Sequence, residues 1–429
     1  MLTHDGRGAV LGGVALDEIF RSGAATTPAY VYDLDAITEG ARDLAAGFGE
    51  APHLIAYAMK ANSAGPILRA LARAGCGAEV VSGGELAVAL ASGIAPDDVL
   101  YSSVGKLDAE IDQAIGAGER GILALQMESV EEVYRVEARA RAVGRRARVS
   151  FRVNPSVLAD THAGVATGHD KAKFGIARQD LGAAWEALGR APSLDLVGLS
   201  CHIGSQLTQT EEYLAAAEIL VGIVAARQAA SPSLTFIDFG GGFGVDYGQG
   251  CKAAPADFAR GAARLLDRST LRGLKLVVEP GRALVAPHGV LCATVIAKKS
   301  ATTEAGELRW LVIDAGMNDL VRPAMYGARH RIEPIDPTDR PTSPKAPLYR
   351  VVGPVCESSD DFGAHPFEAV PERVILRDAG AYGYTMASEY NGRALPTEVF
   401  LRGGKVVAVS AKATVDAWVA RRVGIVERE

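Results

Sequence analysis

FIDFGGGFG, residues 236–244, is a short apolar run that ends in a cluster of glycines. It contains the seventh of eight apolar runs, which alternate along the chain with alanine-rich segments of helical periodicity. Strands that alternate with helices predict a parallel sheet, because parallel neighbours need a helical crossover. The eight predicted strands are residues 53–60, 78–82, 99–103, 121–127, 148–154, 196–202, 236–240 and 274–279.

Eight strand–helix units match a (β/α)8 TIM barrel in number and length, and a doubly wound open sheet is the alternative. Beyond about residue 283 the helical periodicity ends, and short strands with turn residues predict a β-sandwich or β-barrel domain. The predicted fold class is therefore α/β plus all-β. Its domains are an N-terminal segment at residues 1–30 that joins the β domain, a barrel at residues 31–282, and the β domain at residues 283–429.

The composition is that of an ordinary globular protein and argues against several kinds of partner. The 429 residues carry a formal net charge of -6, so binding to nucleic acid or to anionic membranes is not expected. No apolar stretch reaches the roughly 18 residues of a membrane span, and the N-terminus does not resemble a signal peptide. Five scattered cysteines favour reduced thiols in the cytoplasm, and eight histidines without ligand spacing predict no metal site.

Polar residues stand at the predicted carboxyl ends of the strands, where TIM barrels form their active sites. Residues 240–242 are glycines after the seventh strand, where successive backbone N–H groups can bind a phosphate. A tight strand–helix turn is the alternative role for these glycines. The other residues at predicted strand ends are Lys60, Ser82, Ser103, Asn154, His202 and Glu279.

Four side chains near these ends suggest a particular chemistry. Lys60 either extends to solvent or, with a lowered pKa, serves as an amine nucleophile towards a carbonyl cofactor. Glu279 can hold a pyridine nitrogen protonated, and Arg282 can bind an anionic group, although a structural ion pair between them is the alternative. His202 is either a histidine of the core or an imidazole that lies flat on an aromatic cofactor.

The motifs YAMKAN, HIGSQ, GGGFG and EPGR occur here in the order and spacing of fold-type III pyridoxal-phosphate enzymes, which the chain resembles from about residue 28 to residue 399. This resemblance to the ornithine, diaminopimelate and arginine decarboxylase family implies pyridoxal 5'-phosphate as cofactor. It implies Lys60 as the lysine that forms an imine with the cofactor, His202 stacked on the ring and Glu279 at the pyridine nitrogen. The phosphate contacts that it implies are Ser205, Gly241, Gly281, Arg282 and Tyr382.

Three motifs of the second half are similar to the diaminopimelate decarboxylase branch of that family. They are DAGMNDLVRPAMY at residues 314–326, CESSD at 356–360, and GAY at 380–382, and Ser359 stands where the branch usually has glycine. The resemblance implies that Cys356 is the catalytic acid and that it reaches the active site of the partner subunit in a homodimer with shared sites. The implied substrate-binding residues are Arg282, Arg322, Tyr326, Glu357 and Tyr382.

The implied reaction is decarboxylation of meso-2,6-diaminopimelate to L-lysine and CO2, the last step of lysine biosynthesis. The guanidinium groups of Arg282 and Arg322 suit a substrate with a distal carboxylate, and Gly327 stands where relatives that bind a bare terminal ammonium have aspartate. The alternatives are a decarboxylase of another diamino or polyamine acid and a non-catalytic cofactor-binding relative. Seen alone, Arg322 would be a surface arginine and Cys356 a small buried filler.

Overall fold

The computed structural model describes residues 2–156, 173–228, 233–271, 273–304, 306–336 and 346–425. They belong to two compact units, one formed by Met1–Ile37 with Val285–Glu429 and the other by Thr38–Leu284. None of the helices in these ranges is both long enough and apolar enough to cross a bilayer.

The strands in chain order are β1 (Thr3–Asp5), β2 (Gly8–Leu11), β3 (Val14–Ala15), β4 (Ala29–Asp33), β5 (His53–Ala58), β6 (Gly77–Val80), β7 (Val99–Tyr101), β8 (Ala124–Met127), β9 (Ala147–Asn154), β10 (Ile176–Ala177), β11 (Leu194–Cys201), β12 (Phe236–Gly241), β13 (Lys275–Glu279), β14 (Gly289–Thr303), β15 (Gly306–Ile313), β16 (Ile332–Pro334), β17 (Leu348–Val352), β18 (Asp361–Pro366), β19 (Arg373–Leu376), β20 (Thr397–Arg402) and β21 (Lys405–Val409). The α-helices are α1 (Leu16–Arg21), α2 (Leu34–Gly47), α3 (Gly65–Arg73), α4 (Gly83–Ala91), α5 (Asp108–Gly116), α6 (Val130–Val143), α7 (Leu181–Gly189), α8 (Glu211–Gln228), α9 (Pro255–Asp267), α10 (Arg282–Val285), α11 (Arg322–Tyr326) and α12 (Val415–Val423).

The unit Thr38–Leu284 contains a closed parallel barrel. Strands β5 to β9, β11, β12 and β13 pair in that order, and β13 returns to β5 through the pair Val277 and Leu54. The pairing of β8 with β9 completes the ring without a free edge, so the predicted TIM barrel is confirmed and the open doubly wound sheet is wrong. The short strand β10 adds to β9 outside the ring.

Most barrel strands begin and end within two residues of their predicted bounds. The largest difference is at β8, which begins at Ala124, three residues after the predicted start. Gly121 has φ +77°, a left-handed conformation that does not continue a strand, so the apolar residues directly after it bend and the strand begins only at Ala124. At the end of β5, Lys60 lies in a single 3-10 turn, Met59–Ala61.

The barrel core is apolar in the first half of its strands. Its side chains are almost completely removed from water, which is the main stabilising contribution to such a core. One cluster of buried residues consists of Leu54, Ala56, Leu100, Leu123, Ala124, Val197, Phe236 and Val277. The polar residues of the same strands therefore stand towards the carboxyl ends.

The unit formed by Met1–Ile37 and Val285–Glu429 is built on a second nine-stranded sheet, of which seven strands follow the order β18-β17-β15-β14-β4-β20-β21. Strand β4 lies between β14 and β20, so it is a central strand of this sheet. The barrel start predicted at residue 31 is therefore wrong, because residue 31 is in the middle of β4, and the unit continues to Ile37. Its second part begins at Val285, two residues after the predicted position.

The Pro- and Asp-rich composition of residues 333–347 is typical of a surface loop, but most of this stretch, residues 337–345, lies outside the described residues. Its first two residues complete β16, which pairs with β19.

A buried lysine links three segments of the barrel. The side chain of Lys106 is 0% exposed, and its Nζ donates to the carbonyl oxygens of Ser103 and Gln126 at 2.6 and 2.7 Å. A third bond of 2.7 Å joins Nζ to Oε1 of Glu132, near the start of α6. The ammonium group thus has three acceptors in a site without access to water, which is the condition for a buried charge to be tolerated.

We expect Lys106→Met to lower the free energy of unfolding by about 3–5 kcal/mol, because Glu132 would keep a nearly buried charge without its partner. Urea unfolding of the full chain, followed by far-UV circular dichroism, measures this loss. The matched control is Arg135→Met on α6, the helix that carries Glu132. The ion pair of Arg135 with Asp108 is exposed at both side chains and contributes at most about 1 kcal/mol. Equal losses in the two variants would contradict the role assigned to Lys106.

Candidate active site

Lys60 lies directly after β5 and its amine contacts a buried carboxylate. Nζ of Lys60 is 2.6 Å from Oε2 of Glu79, and the Glu79 side chain on β6 is only 2% exposed. The lysine side chain itself is 41% exposed. The amine is therefore held at the carboxyl ends of the strands by an ion pair, while one side of it stays accessible.

Two further carboxyl groups, Asp238 on β12 and Glu279 at the end of β13, are buried side by side. They are hydrogen-bonded to each other, and the amide Nε2 of Gln126 donates to both, at 2.8 Å to Asp238 and 3.1 Å to Glu279. Burial raises the pKa of Asp238 to about 6. Burial and the neighbouring charges of Asp238 and Glu79 raise the pKa of Glu279 well above its usual value. Burial of the two groups side by side therefore favours retention of a proton by the pair.

His202, which follows β11, is held by the glycine-rich turn. Its Nδ1 accepts a hydrogen bond of 3.2 Å from the backbone N–H of Gly241. Burial and the positive charges of Arg152 and Lys60 lower the pKa of His202 well below its usual value. The imidazole is therefore neutral near pH 7, and because Nδ1 is the acceptor, the proton is on Nε2.

A group of donors suited to an anion surrounds Arg282. This arginine is buried, and its Nη1 and Nη2 donate to the hydroxyl oxygens of Tyr247 and Ser205 at 3.0 and 3.1 Å. Beside them, Gly241 pairs with Glu279 so closely that a Cβ at Gly241 would lie 1.9 Å from the Glu279 carbonyl oxygen. A side chain at this position is excluded, and the backbone N–H groups of the turn can come close to a ligand.

The barrel therefore brings one set of predicted residues together. Gly281 packs against Ala61, the residue after Lys60, so closely that a Cβ at position 281 would lie 3.0 Å from the Cβ of Ala61. The barrel residues that belong to this arrangement are Lys60, His202, Ser205, Gly241, Glu279, Gly281 and Arg282.

The other predicted site residues belong to the second unit. Arg322 is buried at the start of α11, and its Nη1 is 3.0 Å from Nε2 of His330. Nδ1 of His330 lies 2.8 Å from the carbonyl oxygen of Arg377, so Nδ1 carries the proton and Nε2 accepts from Arg322. Arg322 is thus not a surface arginine, and the half-buried Tyr326 ends the same helix.

Cys356 and Glu357 are exposed at the residues 356–360 motif, so Cys356 is not a buried filler. The Tyr390 hydroxyl donates to Oε1 of Glu357 at 2.7 Å, and Asn391 accepts a bond of 3.0 Å from the backbone N–H of Cys356. Tyr382 is half-buried with φ +55°, a conformation that is rare for a tyrosine and that often marks a functional residue.

Sequence reasoning missed Glu79, Gln126 and Tyr247. The first two are single polar residues inside apolar strand runs, a pattern that could have marked them as facing a polar site rather than the core. The side chains of three other strand-end residues accept hydrogen bonds from nearby backbone N–H groups. These are Ser82, Ser103 and Asn154, which accept from Glu85, Gly105 and Ser156.

Comparison with known proteins identifies the family. The family model described as pyridoxal-dependent decarboxylase, pyridoxal binding domain, matches residues 34–286. The diaminopimelate decarboxylase of Zymomonas mobilis is 39% identical over 399 residues, which cover 91% of both chains. That of Vibrio cholerae is 38% identical over 89% of both chains.

Solved structures agree with this assignment. Diaminopimelate decarboxylase from Helicobacter pylori complexed with L-lysine has a TM-score of 0.86 and 35% identity, and the match covers 95% of this chain and 100% of that one. The M. jannaschii enzyme in co-complex with L-lysine has a TM-score of 0.87 and 30% identity over 100% and 98% of the chains. On this evidence, the chain belongs to the family of pyridoxal-dependent decarboxylases.

Proposed function

We propose that this chain decarboxylates meso-2,6-diaminopimelate to L-lysine and CO2 with pyridoxal 5'-phosphate as cofactor, the last step of lysine biosynthesis. The observation that carries the proposal is the set of groups at the carboxyl ends of the barrel strands. It combines an accessible amine, a carboxyl group whose pKa is raised by burial, and an arginine-centred group of anion donors. Curated relatives at 34–39% identity over most of the chain bear the name diaminopimelate decarboxylase, which supports the substrate.

The donor set fits pyridoxal phosphate in charge and in kind. The guanidinium of Arg282, the Ser205 hydroxyl and the N–H groups around Gly241 and Gly281 suit the phosphate, and Tyr382 is the further contact expected from the family resemblance. Lys60 is the amine that would tether the aldehyde carbon, and Glu79 holds it in place. When bound, the cofactor supplies an electron-withdrawing ring for the electron pair left at the substrate α-carbon.

The remaining barrel groups control protons and orientation. Burial raises the pKa of Glu279, so its carboxyl group favours a proton that the pyridine nitrogen can share. His202 offers a neutral, flat ring suited to stacking on an aromatic cofactor, fixed by its bond from Gly241. We assign to Cys356, which is exposed, the proton transfer to the α-carbon after CO2 has left.

The distal end of the substrate is assigned to the second unit. Arg322 is buried and already oriented by His330, so its guanidinium can bind a carboxylate without first losing much conformational freedom. Glu357 would pair with the distal ammonium, and Tyr326 with Tyr382 would complete the contacts. Arg282 is a second candidate contact for the substrate, in addition to its phosphate role.

We expect Arg322→Ala to lower kcat/KM for diaminopimelate by at least about 100-fold, the loss of one charge-assisted bidentate contact. Release of CO2 from meso-2,6-diaminopimelate, L-lysine and L-ornithine by the purified protein measures both the function and this loss. The cofactor absorbance should be unchanged, because Arg322 is assigned to the substrate.

The matched control is Arg21→Ala, an exposed arginine of α1 in the same unit, which should keep wild-type kinetics. Preference of the wild-type protein for ornithine or lysine would overturn the proposed substrate. Near-normal turnover of diaminopimelate by Arg322→Ala would overturn the role of this arginine.

We further propose a homodimer in which Cys356 of one subunit serves the barrel of the other. The exposure of Cys356 and Glu357 on the chain supports this arrangement, since both side chains are open to a partner. The alternative for such a motif, a purely internal packing role, does not fit side chains that face solvent. The cytoplasm is the proposed compartment, and the five free cysteines agree with a reducing environment.

Mixing inactive Lys60→Ala with inactive Cys356→Ala subunits should restore about a quarter of wild-type activity, because half of randomly formed dimers are hybrids with one intact site. Exchange is verified by mass spectrometry of differently tagged subunits, and CO2 release is then measured. Mixing Lys60→Ala with Glu79→Ala is the matched control, since both changes lie in the barrel unit. Full exchange without recovery of activity would contradict the shared site.

A further inference from the structure

We propose that Gln126 is a positioning residue that keeps the shared proton of the buried carboxyl pair on Glu279 and the negative charge on Asp238. The proposal deepens the proposed function, since Glu279 is there assigned to the pyridine nitrogen. Gln126 would act through Glu279 and not by contact with the substrate. Its effect would be to present a proton to the ring nitrogen while one negative charge remains close enough to stabilise the protonated ring.

The orientation of the Gln126 amide is fixed by its surroundings. Oε1 accepts a hydrogen bond of 3.1 Å from the Ser102 hydroxyl, so Nε2 points towards the two carboxyl groups. Turning the amide over would place its oxygen against the carboxyl oxygens of Asp238 and Glu279. The two N–H groups of Nε2 therefore serve one carboxyl group each, at 2.8 and 3.1 Å.

The backbone of Gln126 is held as firmly as its side chain. Its carbonyl oxygen accepts a bond of 2.7 Å from Nζ of Lys106, whose side chain is 0% exposed. Gln126 itself is 1% exposed. The residue is thus fixed at both ends, so the direction of its two N–H groups is part of the folded structure and does not await a ligand.

The donors around the pair are unequal, which decides where the proton resides. Asp238 accepts from the backbone N–H of Gly240 at 2.8 Å and takes the shorter of the two bonds from Gln126. Glu279 receives the longer bond from Gln126. Because donors stabilise the charged form of a carboxyl group, the carboxylate is favoured at Asp238 and the acid at Glu279.

Few other groups around the pair change charge near neutral pH. Burial raises the pKa of Cys201 and of Tyr213, so both are neutral there. Glu79 is ion-paired with Lys60 at 2.6 Å. The charged and titratable groups that interact with the pair are Glu79, Lys60, Cys201 and Tyr213. His202, which lies against the turn after Asp238, has a pKa lowered by burial and is neutral near pH 7. A titration step near pH 6 in this site therefore belongs to Asp238 and Glu279 together.

The test compares Gln126→Leu with Gln113→Leu, the same change at an exposed glutamine of α5. Infrared spectra of the full-length chain without cofactor follow the carbonyl stretch of the protonated carboxyl groups with pH, and the Glu279→Gln spectrum assigns the band. In Gln126→Leu the step at about pH 6 should rise by about one to two pH units, because a donor to the carboxylate is lost. Gln113→Leu should titrate like the wild type.

The same variants are then loaded with pyridoxal phosphate, and the pH dependence of the cofactor absorbance is measured. A shift in the same direction as in the infrared titration would support the positioning role. Ser102→Ala provides a second variant that keeps both donors but frees the amide, and it should give a smaller shift of the same sign. If Gln126→Leu does not fold, an unchanged titration in Ser102→Ala overturns the proposal.

An unchanged infrared step in a folded Gln126→Leu protein also overturns the proposal. Failure of the proposed function has a different signature. Absence of diaminopimelate turnover by the wild type, together with a shifted infrared step in Gln126→Leu, would overturn the substrate and still support the placement of the proton.

Discussion

The site depends on how three buried carboxyl groups tolerate one another. Glu79, Asp238 and Glu279 lie on the barrel strands β6, β12 and β13 and are almost fully buried. Three carboxylates in such a place would repel each other strongly and would each lose hydration. Two contacts reduce this repulsion. Lys60 neutralises Glu79, and Asp238 and Glu279 share a proton while Gln126 donates a hydrogen bond to each of them.

This arrangement has a cost in stability. The pKa of Asp238 is about 6 in the folded chain and roughly 3.9 in an unfolded one. Between these values the folded state binds more protons than the unfolded state, so the contribution of Asp238 to stability falls as the pH rises. At neutral pH the buried pair thus opposes folding. A leucine in place of either carboxyl group would avoid the penalty, and retention of a destabilising group in a core is a property of sites that hold chemistry.

Much of the barrel could be predicted because its information is local. Apolar runs, helical segments and glycine turns are read within a few residues, and Lys60, His202 and Glu279 stand at the strand ends that such runs define. Gln126 could not be assigned in this way, since its carboxyl partners lie 112 and 153 residues further along the chain. The boundary at residue 31 was wrong for the same reason. Strand β4 pairs with β14 and β20, far away in sequence, and nothing in residues 29–33 indicates those partners.

The two units also differ in what their chemistry can specify. The family model ends at residue 286, near the end of the barrel unit, so the barrel groups correspond to what pyridoxal-dependent decarboxylases share. Arg322 belongs to the other unit, and its Nη1 donates to a neutral histidine. The Arg377 carbonyl fixes the tautomer of His330, and only this tautomer leaves Nε2 free of a proton to accept from Arg322. A neutral acceptor orients the guanidinium without neutralising it, whereas a carboxylate partner would cancel the charge that an anionic substrate group needs. Within the contacts that the structure resolves, His330 therefore orients the Arg322 guanidinium without itself contributing a negative charge.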